Sequence, residues 1–68
     1  MKPQKYRDVT AVLTGQGWVW LRNAAGSHEI WGSPDGKTKL VVPHHREVTA
    51  GVLRKIAAKL DEVPDSWK

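Results

Sequence analysis

The stretch Gly26-Ser27-His28-Glu29-Ile30-Trp31 decides how the rest of the chain is read. A glycine, free to take positive φ, delivers a histidine to the start of a short apolar run. One apolar run precedes it, Trp18-Val19-Trp20-Leu21, and another follows it, Lys37-Thr38-Lys39-Leu40-Val41-Val42. Aromatic and β-branched content in all three runs favours strands, so Ser27–Trp31 reads as the middle strand of three. Ala24-Ala25-Gly26 is short enough for a hairpin connection on one side. Gly32-Ser33-Pro34-Asp35-Gly36 supplies a turn on the other, with Pro34 presetting φ and Gly36 able to close it. Pro43 lacks a donor and ends the third strand. The first strand is apolar on both faces, which predicts a covered strand or a sheet face kept for a partner.

Helical periodicity flanks the strands. Tyr6, Val9 and Leu13 share one face with Val12 beside them, and the spacing predicts a helix over 3–16 with Pro3 in its first turn. Gly17 is the expected stop. After the loop Pro43-His44-His45-Arg46-Glu47-Val48, Thr49 is a good N-cap. Leu53, Ile56, Ala57 and Leu60 then repeat at i, i+3, i+4 and i+7, with Arg54, Lys55 and Lys59 off the stripe. The order is helix, three strands, helix. One face of an antiparallel meander can cover both stripes, leaving the other face open. The expected fold is α+β, with residues 1–60 as a single domain. Residues 61–68, holding Pro64 and Trp67, read as a C-terminal tail, with Trp67 free to pack back or to meet a partner.

Composition bounds the function. The chain has 68 residues, 40% hydrophobic and 26% charged, with four tryptophans and no cysteine. So short a chain makes one domain with a thin core, without disulfide or thiolate zinc support. No run is long enough to span a membrane and no signal-peptide core is present, so a cytoplasmic location is expected. A net charge of +4 and a pI near 9.8 suggest an anionic partner, nucleic acid first. Excess lysines are also common on solvated surfaces.

Three histidines carry the available chemistry, at 28, 44 and 45. They show no recognisable ligand spacing with an acidic residue, so neither metal nor other cofactor is expected. Gly15-Gln16-Gly17 lacks the third glycine of a phosphate loop and precedes a strand, and a hydrolase nucleophile elbow is absent. A strand histidine that merely bonds a neighbour is the commoner case. Yet Arg22 ends the first strand as His28 begins the second, and hairpin neighbours lie close. An arginine can hold a phosphate while an imidazole moves a proton. RNA phosphodiester cleavage needs a base for the 2′-hydroxyl, an acid for the leaving oxygen and a cation for the developing charge. His28 is therefore the candidate acid–base residue. His44 is the second candidate and His45 the third.

Gly17-Trp18 with Arg22, Gly26-Ser27-His28 with Trp31, Val42-Pro43-His44, and Gly51-Val52-Leu53 with Ile56 together resemble the HicA mRNA interferase toxins. The resemblance spans about Tyr6 to Leu60. It implies a double-stranded-RNA-binding-domain-like α-β-β-β-α fold, metal-independent cleavage of mRNA and a HicB-type antitoxin partner, with His28 in the family's catalytic position. The chain departs from the family at Val52, where Thr is common, at the bulky Trp31, and in the residues after Leu60. In an RNA-binding fold, Arg22, Lys37, Lys39, His44, Arg46 and Arg54 are the expected RNA contacts. A non-catalytic RNA-binding module of the same fold is the alternative. A protein-interaction domain presenting Trp18, Trp20 and Trp31 is a third reading.

Overall fold

The computed structural model describes Met1–Lys68. Its order is β1 (Gln4–Lys5), α1 (Tyr6–Gly15), β2 (Val19–Asn23), β3 (His28–Gly32), β4 (Lys39–Pro43), β5 (Glu47–Val48) and α2 (Ala50–Ala57), then a 3-10 turn at Asp65–Trp67. Strands β2, β3 and β4 form the expected antiparallel meander in that order, and the whole has the α+β architecture of the double-stranded-RNA-binding-domain-like fold.

The first helix is shorter than its periodicity implies. Gln4 and Lys5 pair with Val48 and Glu47 in a small second ladder, which places Pro3 ahead of the helix rather than in its first turn. The Tyr6 N–H donates to the Arg46 carbonyl (3.0 Å), satisfying one of the donors a helix start leaves open. At the other end Gly17, at φ +89°, donates to Thr14 (3.0 Å), and Trp18 donates to Leu13 (2.9 Å). These two bonds form a Schellman stop. Helix α2 begins at Thr49, whose hydroxyl accepts from the Val52 N–H, and ends at Ala57, with Leu60 still buried beyond it.

Register sorts the sheet residues. Glu29 faces Val42 and Trp31 faces Leu40 across β3–β4, all four buried. Val9, Leu13, Leu53, Ile56 and Ala57 from both helices join them in a single core, so both helices cover this one face. Ile30 faces Val41 on the other side, and His28 faces Pro43. A bulge between Trp20 and Arg22 leaves Leu21 without an opposing residue and lays it over Gly32, where an added Cβ would sit 3.1 Å from Leu Cδ1. All five residues of the edge strand β2 are exposed. The open face therefore carries Val19, Leu21 and Val41, each about half exposed.

The tryptophans divide unexpectedly. Trp18, Trp31 and Trp67 are buried, and only Trp20 is exposed, at 51%. That overturns the reading in which Trp18, Trp20 and Trp31 present one partner surface: two of them are core. Trp67 fills the core from the last turn. Two side-chain bonds hold that segment down, Gln4 Nε2 to the Ser66 carbonyl (2.9 Å) and Gln16 Nε2 to the Glu62 carbonyl (2.8 Å). No helix is long and apolar enough to cross a membrane.

Candidate active site

All three histidines gather at one end of the sheet, where β3 begins and β4 ends. Gly26, at φ +66°, turns the chain from β2 into β3. The Ala24 N–H donates to the His28 carbonyl (2.8 Å), and the His44 N–H donates to the Ser27 carbonyl (2.6 Å). The backbone of His28 is thereby fixed on both sides.

The His28 ring stands on the open face, grouped with Ile30 as strict alternation requires. Its Nδ1 lies 3.1 Å from the Ala25 carbonyl oxygen. A carbonyl can only accept, so Nδ1 carries the proton and Nε2 of the neutral ring is left as an acceptor. That is the tautomer a general base needs. Beside the ring lies a cleft of about 400 Å³, lined by His28, Val41, Pro43, His45, Glu47, Thr49, Val52 and Lys55.

His44 is held by different means. Its Nδ1 lies 3.0 Å from Oε2 of Glu29, a carboxylate only 5% exposed. Glu29 Oε1 also accepts from the Tyr6 hydroxyl (2.7 Å) and the Trp31 indole N–H (3.1 Å). The Tyr6 and His44 rings stack with centroids 4.1 Å apart and planes within 9°. Burial, then the hydrogen bond and charge of Glu29, push the Tyr6 phenol up to about 12. Three donors on one carboxylate satisfy a group whose burial would otherwise be costly. His45, one residue on, shares a 2.8 Å hydrogen bond between its Nε2 and the Ser27 hydroxyl.

The expected cations are only partly gathered here. Arg22 faces Ile30, which makes it a diagonal neighbour of His28 on the open face, and its guanidinium reaches the Asn23 carbonyl at 3.5 Å. Arg46 joins Lys5 and Arg7 around Tyr6, at the histidine end. Lys39 faces Gly32, four residues along β3 from His28, or about 13 Å away at the strand repeat. Lys37 sits in the turn beyond it. Arg54 is exposed on α2 and does not line the His28 cleft.

Sequence reasoning missed Glu29 and Lys55. Glu29 shares the parity of Trp31, so a charge on the core-facing register was the available signal. Lys55 follows Thr49 and Val52 at i+6 and i+3, so one helical face turned toward the sheet end was readable.

The family profile described as HicA toxin of bacterial toxin-antitoxin matches residues 6–61. Neither a curated protein nor a solved structure gives a match. The profile spans most of the 68 residues, from the first residue of α1 to just past α2. The chain belongs to the HicA family, the toxins of bacterial toxin–antitoxin systems, and as such it has an antitoxin for a partner.

Proposed function

We propose that this toxin is a metal-independent endoribonuclease that cleaves mRNA, with His28 as its acid–base residue. The observation that carries the reading is the His28 ring itself: Nδ1 is committed to the Ala25 carbonyl, and an open cleft lies beside the ring. Imidazole is the side chain suited both to take and to return a proton in one reaction cycle. The base step removes the 2′-hydroxyl proton. The 2′-oxygen attacks the adjacent phosphorus, and the 5′-oxygen leaves with a proton. Arg22 stands beside His28 on the open face and supplies a phosphate contact, while His44 and Arg46, at the same end of the sheet but on the Tyr6–Glu29 side, hold flanking phosphates. Lys37 and Lys39, at the far end of the sheet, and Arg54, on α2, meet phosphates further from the site. A HicB-type antitoxin would inhibit by covering the His28 surface, and the half-exposed Val19, Leu21 and Val41 offer it apolar area on that same face.

The test compares purified wild type with His28→Ala on RNA in the presence of a chelator, with circular dichroism as the folding control. Positioned proton transfer contributes on the order of 10²–10⁴-fold, and the variant is expected to lose that much. Equal cleavage by the two proteins would remove His28 from the mechanism. Binding without cleavage by either would leave a non-catalytic RNA-binding toxin. The logarithm of the affinity should fall linearly with the logarithm of salt concentration if the basic residues hold phosphates.

A further inference from the structure

The cleft beside His28 holds more than one catalytic group needs. Its lining brings a second imidazole, His45, and a lysine, Lys55, into the same cleft as His28. His44, though adjacent in sequence, is turned away to Glu29. Resting on the endoribonuclease reading above, we propose that His45 is the second proton carrier of the reaction and that Lys55 clamps the scissile phosphate.

The two imidazoles are tied in chemically different ways. His28 Nδ1 bonds a group that can only accept, which fixes the neutral ring as a base through Nε2. His45 Nε2 bonds the Ser27 hydroxyl, which can donate or accept. That bond survives whether the ring is neutral or protonated, as a residue that must give up a proton and regain it requires. His45 Nδ1 is left for the substrate. Lys55 makes no ion pair: the chain's two pairs are His44–Glu29 and Lys68–Asp65. Its ammonium is therefore uncommitted, although a lone surface lysine is ordinarily just solvated.

The step balances. His28 Nε2 takes the 2′-hydroxyl proton as the 2′-oxygen bonds to phosphorus. The bond from phosphorus to the 5′-oxygen breaks, and His45, as imidazolium, protonates that oxygen from Nδ1. Lys55 offsets the charge growing on the non-bridging oxygens. The products are a 2′,3′-cyclic phosphate and a 5′-hydroxyl, and solvent then resets both rings.

The charges facing the cleft give a second consequence. Lys55 from α2 is opposed by Glu47 from β5, while Thr49, Val41, Val52 and Pro43 are uncharged. With both imidazoles neutral the lining has no net positive charge. Each proton taken up by an imidazole adds positive charge to the lining, and Arg22 stands beside His28 just outside it, so the protonated site favours a phosphodiester.

The experiment measures kcat/KM against pH for the full chain on an oligoribonucleotide, and repeats it with a substrate whose 5′-bridging oxygen is sulfur. A thiolate leaves without an acid. Wild type is expected to give a bell-shaped profile on the oxygen substrate. His45→Ala should lose the limb that requires the protonated ring, falling roughly 10²-fold or more, and recover on the sulfur substrate. His45→Gln serves as a second variant should the alanine form fold poorly. His28→Ala should stay inactive on both substrates. Lys55→Met should lower kcat/KM and Lys55→Arg should restore part of it. A bell-shaped profile unchanged in His45→Ala, or no recovery with sulfur, overturns the proton-carrier assignment. Unchanged kcat/KM in Lys55→Met overturns the clamp. If only His28→Ala is impaired, the endoribonuclease reading stands without this inference. No cleavage by wild type ends both.

Discussion

His28 and Glu29 are neighbours in sequence and opposites in environment. His28 stands on the open face of the sheet, exposed, with one hydrogen bond to an exposed carbonyl. Glu29 points into the core face, 5% exposed, with donors from a helix, a strand and a loop converging on it. One residue of register separates a group free to react from a group that holds the fold together. Substitutions on the two faces should accordingly register in different assays.

The largest stability losses are expected from the layer under the core face. Trp67 is 1% exposed and Leu53 is fully buried. Trp67→Ala should destabilise by about 3–5 kcal/mol and Leu53→Ala by about 2–5 kcal/mol. A small domain has few kcal/mol in reserve, so denaturant midpoints should drop sharply or folding should fail. Truncation after Leu60 is predicted to match Trp67→Ala. An unchanged midpoint in the truncated chain would show that residues 61–68 are an accessory tail rather than part of the core.

Glu29→Ala comes next. It leaves the Trp31 indole N–H buried without an acceptor, a loss of roughly 1–3 kcal/mol. Glu29→Gln should be milder. Its amide oxygen can still accept from Tyr6 and Trp31, while its NH₂ would face His44 and require Nδ1 to accept instead. The prediction is therefore a change of His44 tautomer, visible in the nitrogen chemical shifts of the ring. A Glu29→Gln protein with Nδ1 of His44 still protonated would contradict the assigned roles of donor and acceptor.

These cases show where the sequence is transparent. The three strands, both helical stripes, the Thr49 cap and the Gly17 stop all follow from local chemistry, because spacing and glycine conformation act over a few residues. The β1–β5 ladder is not legible, since two residues in each strand carry no period and pair only after the fold brings them together. The fate of the tryptophans is hidden for a related reason: Trp18 and Trp20 lie two apart, yet the Schellman turn sends one into the core and the β2 edge leaves the other exposed. His28 is visible through its glycine turn. The partners of His44 and the cleft shared with Lys55 depend on β4 and α2 meeting at one end of the sheet, a long-range fact.

Tyr6 sharpens the comparison through pH. Its phenol is raised from 10.0 to about 12 by burial and by Glu29. The folded state thus holds the proton more tightly than the unfolded chain does. The stability this contributes is fully present below pH 10 and is lost as pH rises toward 12. Tyr6→Phe removes the hydrogen bond to Glu29, with a loss of about 1 kcal/mol at neutral pH, and should flatten this part of the stability curve. An equally steep alkaline decline in Tyr6→Phe would assign it to other groups.

The smallest effect on stability is expected at His28, and it tests the division most directly. The ring is exposed, its one bond is to a water-accessible carbonyl, and its removal leaves no buried group unpaired. The turn before it is set by Gly26 and by the backbone bonds of Ala24 and His44, none of which need the imidazole. His28→Ala should therefore shift stability by no more than about 0.5 kcal/mol, the usual range for surface positions. Measured by denaturant midpoint beside the cleavage assay, it should separate function from folding as Glu29→Ala cannot. A loss above about 1 kcal/mol would mean that His28 supports the hairpin as well, and the open face would then no longer be a surface on which the fold does not depend.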